Sequence, residues 1–343
     1  MISRPAVMPD SVDVFSTCPQ SEAAARNTYR QRVIETARWA EECGCTGILV
    51  YADNSLIDPW LISQVIAENT NRLSPLIAVQ PVYMHPYSTA KMIASLAYLY
   101  RRRVYLNMIA GGFRNDLLAL NDLTPHDERY DRLVEYTSIV MALTSASAPV
   151  SFSGRFYSTD KLRLTPALPG DLQPGLMVSG SSNPGAEAAR ALGAICIHYP
   201  GPASESGQVA LDAGMKFGIR IGLVARATDR EAWDTAVRRF PENRKGQLLH
   251  QYAMTVSDSS WHKSLSDFGS AVAQGRSPYW LGPFENYNTF CPYLVGGYDT
   301  VGMELSRYIK LGYSTFILDI PADRADMVHS TIAFREAGDL AGL

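Results

Sequence analysis

Cysteine is scarce: five residues in 343, an odd number in a large chain, which argues against a disulfide framework. Cys43 and Cys45 are spaced C-x-C beside a strand, but no second ligand pair stands near them. They read as buried thiols rather than a zinc site. No window approaches eighteen apolar residues, and no basic N-terminal region leads into an apolar run. Neither a membrane span nor a secretion signal is therefore expected, and the protein is placed in the cytoplasm. Charge is also sparse, 19% of residues with a net of -3, and no basic stripe appears. That argues against a nucleic-acid partner. Missing too are a G-x-G-x-x-G after the first strand, a Walker loop, a nucleophile elbow and an H-E-x-x-H pair. His85, His126 and His198 stand too far apart to suggest a metal set. With neither metal nor nucleophile in view, difficult chemistry would need a bound cofactor.

What is present is an alternation, within a chain that is 46% hydrophobic. Short apolar strands are expected at 12–15, 46–51, 75–80, 104–109, 176–179, 194–198, 217–225 and 315–319. Helical periodicity fills 21–42, 60–70, 88–102, 128–144 and 300–311. A stretch at 150–166 alternates like a β-hairpin, with Gly154 in its turn. Strand and helix repeated eight times in one chain predict a (β/α)8 TIM barrel spanning 1–343, with a doubly wound open sheet as the runner-up. Residues 241–298, rich in Ser, Gly, Tyr and Asn, form the least regular segment. In a barrel they would lie between strands seven and eight as an insertion or lid.

A barrel carries its site at the C-terminal ends of its strands. Those ends hold Asp53 and Asn54, then Gln80, Tyr83 and His85, then Asn107 and Gly111. Ser179 to Ser182, His198 with Tyr199, Arg220 and Asp319 follow. Asn107 sits inside an apolar run, where an amide is costly unless hydrogen-bonded. Gly111-Gly112 lets the backbone bend sharply or approach a ligand closely. The run SGSSNPG leads into a helix from Pro184, which suits either a phosphate or plain capping by Ser181, Ser182 or Asn183. Tyr83, His85, His198 and Tyr199 are candidates for substrate contact or proton transfer. His198 is the first choice of acid or base, because an imidazole titrates near neutral pH.

Six segments, LNMIAGGFRND, PHDERYDRLVEY, FSGRFY, VSGSSNPGAEAARALG, KFGIRIGLVARATDREAW and LVGGYDTVGMELSRYIKLGYSTFIL, occur together in order. In them the chain resembles the bacterial-luciferase-like flavin monooxygenases, specifically the alkanesulfonate monooxygenase branch, over nearly its whole length. The resemblance implies a two-component system in which a separate NAD(P)H:flavin reductase delivers reduced FMN (FMNH2). Molecular oxygen is the co-substrate, adding at the flavin C4a to give a peroxide that oxidises an organic compound. It also implies a homodimer or homotetramer. Carried over by position, Ser181 and Ser182 would hold the flavin phosphate with help from His126 and Tyr130, beside Ser179 and Gly180. Asn107 and Ala110 would lie against the isoalloxazine and ribityl portions. Arg220 matches the arginine of an R-x-H pattern and joins His198 and His85 as the catalytic candidates. Asp53, Tyr83, Tyr199 and Tyr287 remain for the substrate.

Four positions depart from the sulfonate enzymes. Gly222 stands in place of the His of R-x-H, Ile320 in place of a Tyr, Leu56 in place of a Cys, and Tyr287 in place of a mobile-loop Arg. The expected substrate is therefore not a simple alkanesulfonate, and a place in biosynthetic, specialised metabolism fits. Two alternatives stand beside this: an F420-dependent oxidoreductase of the same fold, and a non-catalytic flavin-binding protein.

Overall fold

The computed structural model describes residues 7–21, 26–112, 114–180, 182–203, 214–256 and 277–342. The strands are β1 (Asp13–Thr17), β2 (Gly47–Val50), β3 (Ser74–Val79), β4 (Tyr105–Met108), β5 (Val150–Ser153) and β6 (Ser158–Leu162). They continue as β7 (Gly175–Ser179), β8 (Ile195–His198), β9 (Phe217–Arg226), β10 (Tyr279–Trp280), β11 (Tyr293–Gly297) and β12 (Tyr313–Leu318). The helices are α1 (Tyr29–Glu42), α2 (Pro59–Asn69), α3 (Pro86–Tyr100), α4 (Arg114–Ala119), α5 (His126–Ser145) and α6 (Asn183–Leu192). After them come α7 (Asp229–Arg239), α8 (Arg244–Val256), α9 (Gly282–Glu285), α10 (Tyr298–Lys310) and α11 (Arg324–Ala341). Their succession is that of a (β/α)8 TIM barrel, whose eight strands are β1 to β4, β7 to β9 and β12. Among the described residues no helix is long and apolar enough to cross a membrane.

The chain divides into two compact units. One comprises Cys18–Ala37 and Gly47–Cys196. Its sheet runs β2–β3–β4–β7, all parallel, with Leu76 beside Tyr105 and Asn107 beside Met177. Strands β2 and β3 are buried at every position, as a parallel sheet covered on both faces requires. Local chemistry sets the helix starts. Asp58 caps α2 by accepting from the Trp60 and Leu61 N–H groups, ahead of Pro59. The hairpin β5–β6 forms where its alternation predicts, and α5 holds it: the Glu135 carboxylate accepts from the backbone N–H groups of Arg155 (2.8 Å), Phe156 (2.9 Å) and Tyr157 (3.2 Å).

The other unit comprises Met1–Thr17, Arg38–Thr46 and Ile197–Leu343. Here β9 changes partner halfway. Its first half pairs with β12, from Phe217 opposite Tyr313 to Ile221 opposite Leu318. Its second half pairs with β11, from Gly222 opposite Tyr293 to Arg226 opposite Gly297. Val224, Tyr293 and Val295 form a core with Ala232, Ala236 and Cys291. The segment 241–298 is therefore not irregular throughout: it carries α8, α9, β10 and the fully buried β11. Residues 257–276 of the expected lid lie outside the described residues. Helix α1 starts at Tyr29 rather than at 21, after a turn at 26–28. Cys43 and Cys45 are buried, and burial pushes both thiols up.

Candidate active site

In the unit containing Gly47–Cys196, the ends of β4 and β7 lie side by side. Asn107 is buried, and its Oδ1 accepts from the Ser179 hydroxyl at 2.7 Å, the hydrogen bond its burial demands. Ala110 is buried next along, and Gly111 takes a φ of +94°, open to glycine at little cost. The Gly111 carbonyl accepts from Arg129 at 2.7 Å, so α5 clamps this loop through a buried guanidinium that its sequence context did not single out.

Beyond β7, Ser182 caps α6, its hydroxyl accepting from the Gly185 N–H at 3.3 Å. It also hydrogen-bonds the Tyr130 phenol, whose pKa is raised by burial and drawn back by that bond. Tyr130 approaches the chain so closely that a Cβ on Gly180 would sit 2.7 Å from its oxygen. His126 packs edge-on to Tyr130, centroids 5.4 Å apart, and its Nδ1 lies 2.7 Å from Asp127. The expected group Asn107, Ala110, Ser179, Gly180, Ser182, Tyr130 and His126 is thus drawn from β4, β7, α5 and the start of α6. Ser181 lies outside the described residues.

Asp53 and Tyr83 belong to a second cluster of this unit. Tyr83 donates to Asn54 Oδ1 at 2.8 Å, and Asn54 donates to the Asp116 carbonyl at 3.1 Å. Burial raises the Asp116 carboxyl, and the neighbouring Asp53 raises it further. The Tyr83 phenol is pushed up to about 12, by burial and then by Asp53 and Asp116. His85 is exposed and caps α3, its Nδ1 accepting from the Tyr87 N–H at 3.2 Å. That bond gives its ring a structural task.

In the other unit, Arg220 is 2% exposed. Its Nη2 donates to Asp319 Oδ1 at 3.3 Å. Asp319 Oδ2 accepts from Tyr293 at 2.8 Å and from the Thr289 hydroxyl. Tyr199 packs on the Val224–Tyr293 core, and burial pushes its phenol up to about 12 although Arg220 draws it down. His198 goes elsewhere. Its Nδ1 meets the Tyr313 hydroxyl at 3.2 Å, and its ring packs on Phe217 and Tyr313, the first residues of β9 and β12. Burial lowers its pKa.

The departures look different in place. A Cβ on Gly222 would lie within 2.5 Å of three Tyr293 ring carbons, so a tyrosine fills the space beside this glycine. Tyr287 has a φ of +57° and packs in a row of rings with His250 and Phe290.

The sequence pattern of the luciferase-like monooxygenases matches residues 12–315. The chain belongs to that family. Among relatives of this luciferase-like monooxygenase is 4-(gamma-L-glutamylamino)butanoyl-[BtrI acyl-carrier protein] monooxygenase BtrO of Niallia circulans. It is 33% identical over 326 residues, 93% of this chain and 95% of BtrO. Solved structures of the same fold include a riboflavin lyase (RcaE) with modified FMN and riboflavin, TM-score 0.75 and 14% identity, covering 96% of this chain and 92% of that one. Another is the EDTA monooxygenase (EmoA) of Chelativorans sp. BNC1, TM-score 0.70 and 13% identity, covering 96% and 95%. This luciferase-like monooxygenase is accordingly an oxidoreductase.

Proposed function

We propose that the protein is a reduced-FMN-dependent monooxygenase of a two-component system, and that its substrate is not a simple alkanesulfonate. The observation that carries the cofactor is the donor set at the end of β7. The Ser182 and Tyr130 hydroxyls meet beside Gly180, where α6 presents its N-terminal N–H groups. Hydroxyls together with the positive end of a helix suit a phosphate monoester. Ser181 joins them by sequence position and His126 by its packing on Tyr130. Asn107, fixed by Ser179, and Ala110 take the ring and ribityl side. Bound reduced FMN supplies the electrons that activate molecular oxygen, and a separate NAD(P)H:flavin reductase replenishes them. The chain's own residues hold the phosphate, orient the amide and carry polar groups for the substrate at Arg220 and Tyr199.

The departures at Gly222, Ile320, Leu56 and Tyr287 support a substrate other than a small sulfonate. BtrO by its name oxygenates an acyl group on a carrier protein. Carrier-bound and free acyl amides are therefore the first compounds to screen. With reduced FMN and 18O2, the expected result is a product one oxygen atom heavier by mass spectrometry. Efficient sulfite release from short alkanesulfonates would refute the substrate reading. Hydride transfer from reduced F420 without oxygen uptake would refute the cofactor reading.

A further inference from the structure

Arg220, Asp319, Tyr293, Thr289 and Gly222 behave as one assembly. The missing side chain at 222 admits the Tyr293 ring, and that ring carries a hydroxyl to Asp319 Oδ2 at 2.8 Å. Thr289 donates to the same oxygen, while Arg220 donates to Oδ1 at 3.3 Å. We propose that Asp319 is the specificity-determining residue of this half of the site. By neutralising Arg220 it turns away anionic head groups, sulfonate and carboxylate alike, and leaves the place to neutral polar groups such as amides and hydroxyls.

A buried guanidinium is a strong seat for an anion, since its planar fork matches sulfonate and carboxylate oxygens. Here that charge is balanced from within the chain. The Arg220 side chain is 3% exposed and that of Asp319 is 10% exposed. A second anion brought to Arg220 would therefore face the Asp319 carboxylate with little water between them. The carboxylate is not free to swing away, because three donors grip its two oxygens. Tyr199, beside the pair, has its ionisation suppressed by burial and remains a neutral hydroxyl able to donate or accept. The group that remains welcome is one with a dipole and no net charge.

This inference rests on the monooxygenase reading above for the identity of the site, but its test runs without flavin. The full-length wild type, Asp319→Asn and the double variant Asp319→Asn/Arg220→Gln are titrated by calorimetry with hexanesulfonate and with hexanamide. Wild type is expected to favour the amide. Asp319→Asn should bind the sulfonate at least about tenfold more tightly than wild type, the least that one unit charge in close contact changes in a partly buried site. The double variant should lose that gain. Wild type favouring the sulfonate, or a gain that survives in the double variant, overturns the proposal. The wild-type comparison decides even if Asp319→Asn fails to fold. A protein that shows the amide preference but binds no FMN refutes the cofactor reading alone.

Discussion

Adding a single methyl group at Gly222 tests the packing that distinguishes this site. The new Cβ would lie within 2.5 Å of three ring carbons of Tyr293, a residue 1% exposed. Carbon atoms rest about 3.5–4.0 Å apart, so the ring must retreat by about 1 Å. Overpacking of that kind costs roughly 1–3 kcal/mol. The retreat also breaks the 2.8 Å bond from Tyr293 to Asp319, and a hydrogen bond to a charged group contributes roughly 1.5–3 kcal/mol. Against this, alanine in a strand recovers about 0.5–1 kcal/mol over glycine. The clash wins, leaving Gly222→Ala less stable by roughly 2–5 kcal/mol. Urea unfolding followed by circular dichroism reads the change, and a double-mutant cycle with Tyr293→Ala assigns its cause. Without the ring the three closest contacts are gone, so the second substitution should make Gly222→Ala nearly neutral. Costs that add to within about 0.5 kcal/mol would refute the interlock between glycine and ring.

Two further outcomes follow from groups in the other unit. Burial alone would raise the Asp122 carboxyl, but Arg132 and Thr124 outweigh it and hold the group at about 2, below its ordinary 3.8. A depressed carboxyl stabilises the fold above its unfolded pKa and loses that contribution as pH falls through the folded one, here from about 4 down to 2. The shift corresponds to about 2 kcal/mol at neutral pH. The stability gap between wild type and Arg132→Met should therefore narrow across that window, and a gap constant with pH would contradict it. Ser182→Ala removes the α6 cap, at a cost near ~1 kcal/mol of stability. It should also weaken FMN binding about tenfold or more while sparing riboflavin, measured by flavin fluorescence; equal losses would make Ser182 a cap and nothing else.

The barrel was legible because its strands are short apolar runs with turn residues on either side. The run 104–109 becomes β4 at Tyr105–Met108, and the amide expected to need a partner there finds Ser179. Strand β11 was not legible. Two of its five residues are glycine, its neighbourhood reads as loop, and its pairing partner β9 lies far back in the chain. The packing of His198 was not legible for a related reason. Adjacent residues of an extended chain point to opposite sides, and the run CIHY does not say which one turns toward Arg220. Chemistry favoured the imidazole, and its ring packs on Phe217 and Tyr313. Gly222 was legible as a departure from the R-x-H pattern, which pointed away from a simple alkanesulfonate. That the space holds a tyrosine bonded to Asp319 depends on the register of β9 against β11, which the sequence alone does not disclose.

The division of the chain into two units also sets an order of manufacture. One unit occupies the nearly continuous stretch 47–196, joined by 18–37, and so has been synthesised before β9 begins. The other is stitched from both ends: β1 meets β12 with Asp13 opposite Thr315. Arg220 and Asp319 stand 99 residues apart, which at about 5–20 residues per second of synthesis is a delay of roughly 5–20 s. For that interval the nascent chain carries the guanidinium without its counter-ion. The half proposed to hold flavin is thus complete in chain order first, and the charge balance proposed to select the substrate is among the last things translation supplies.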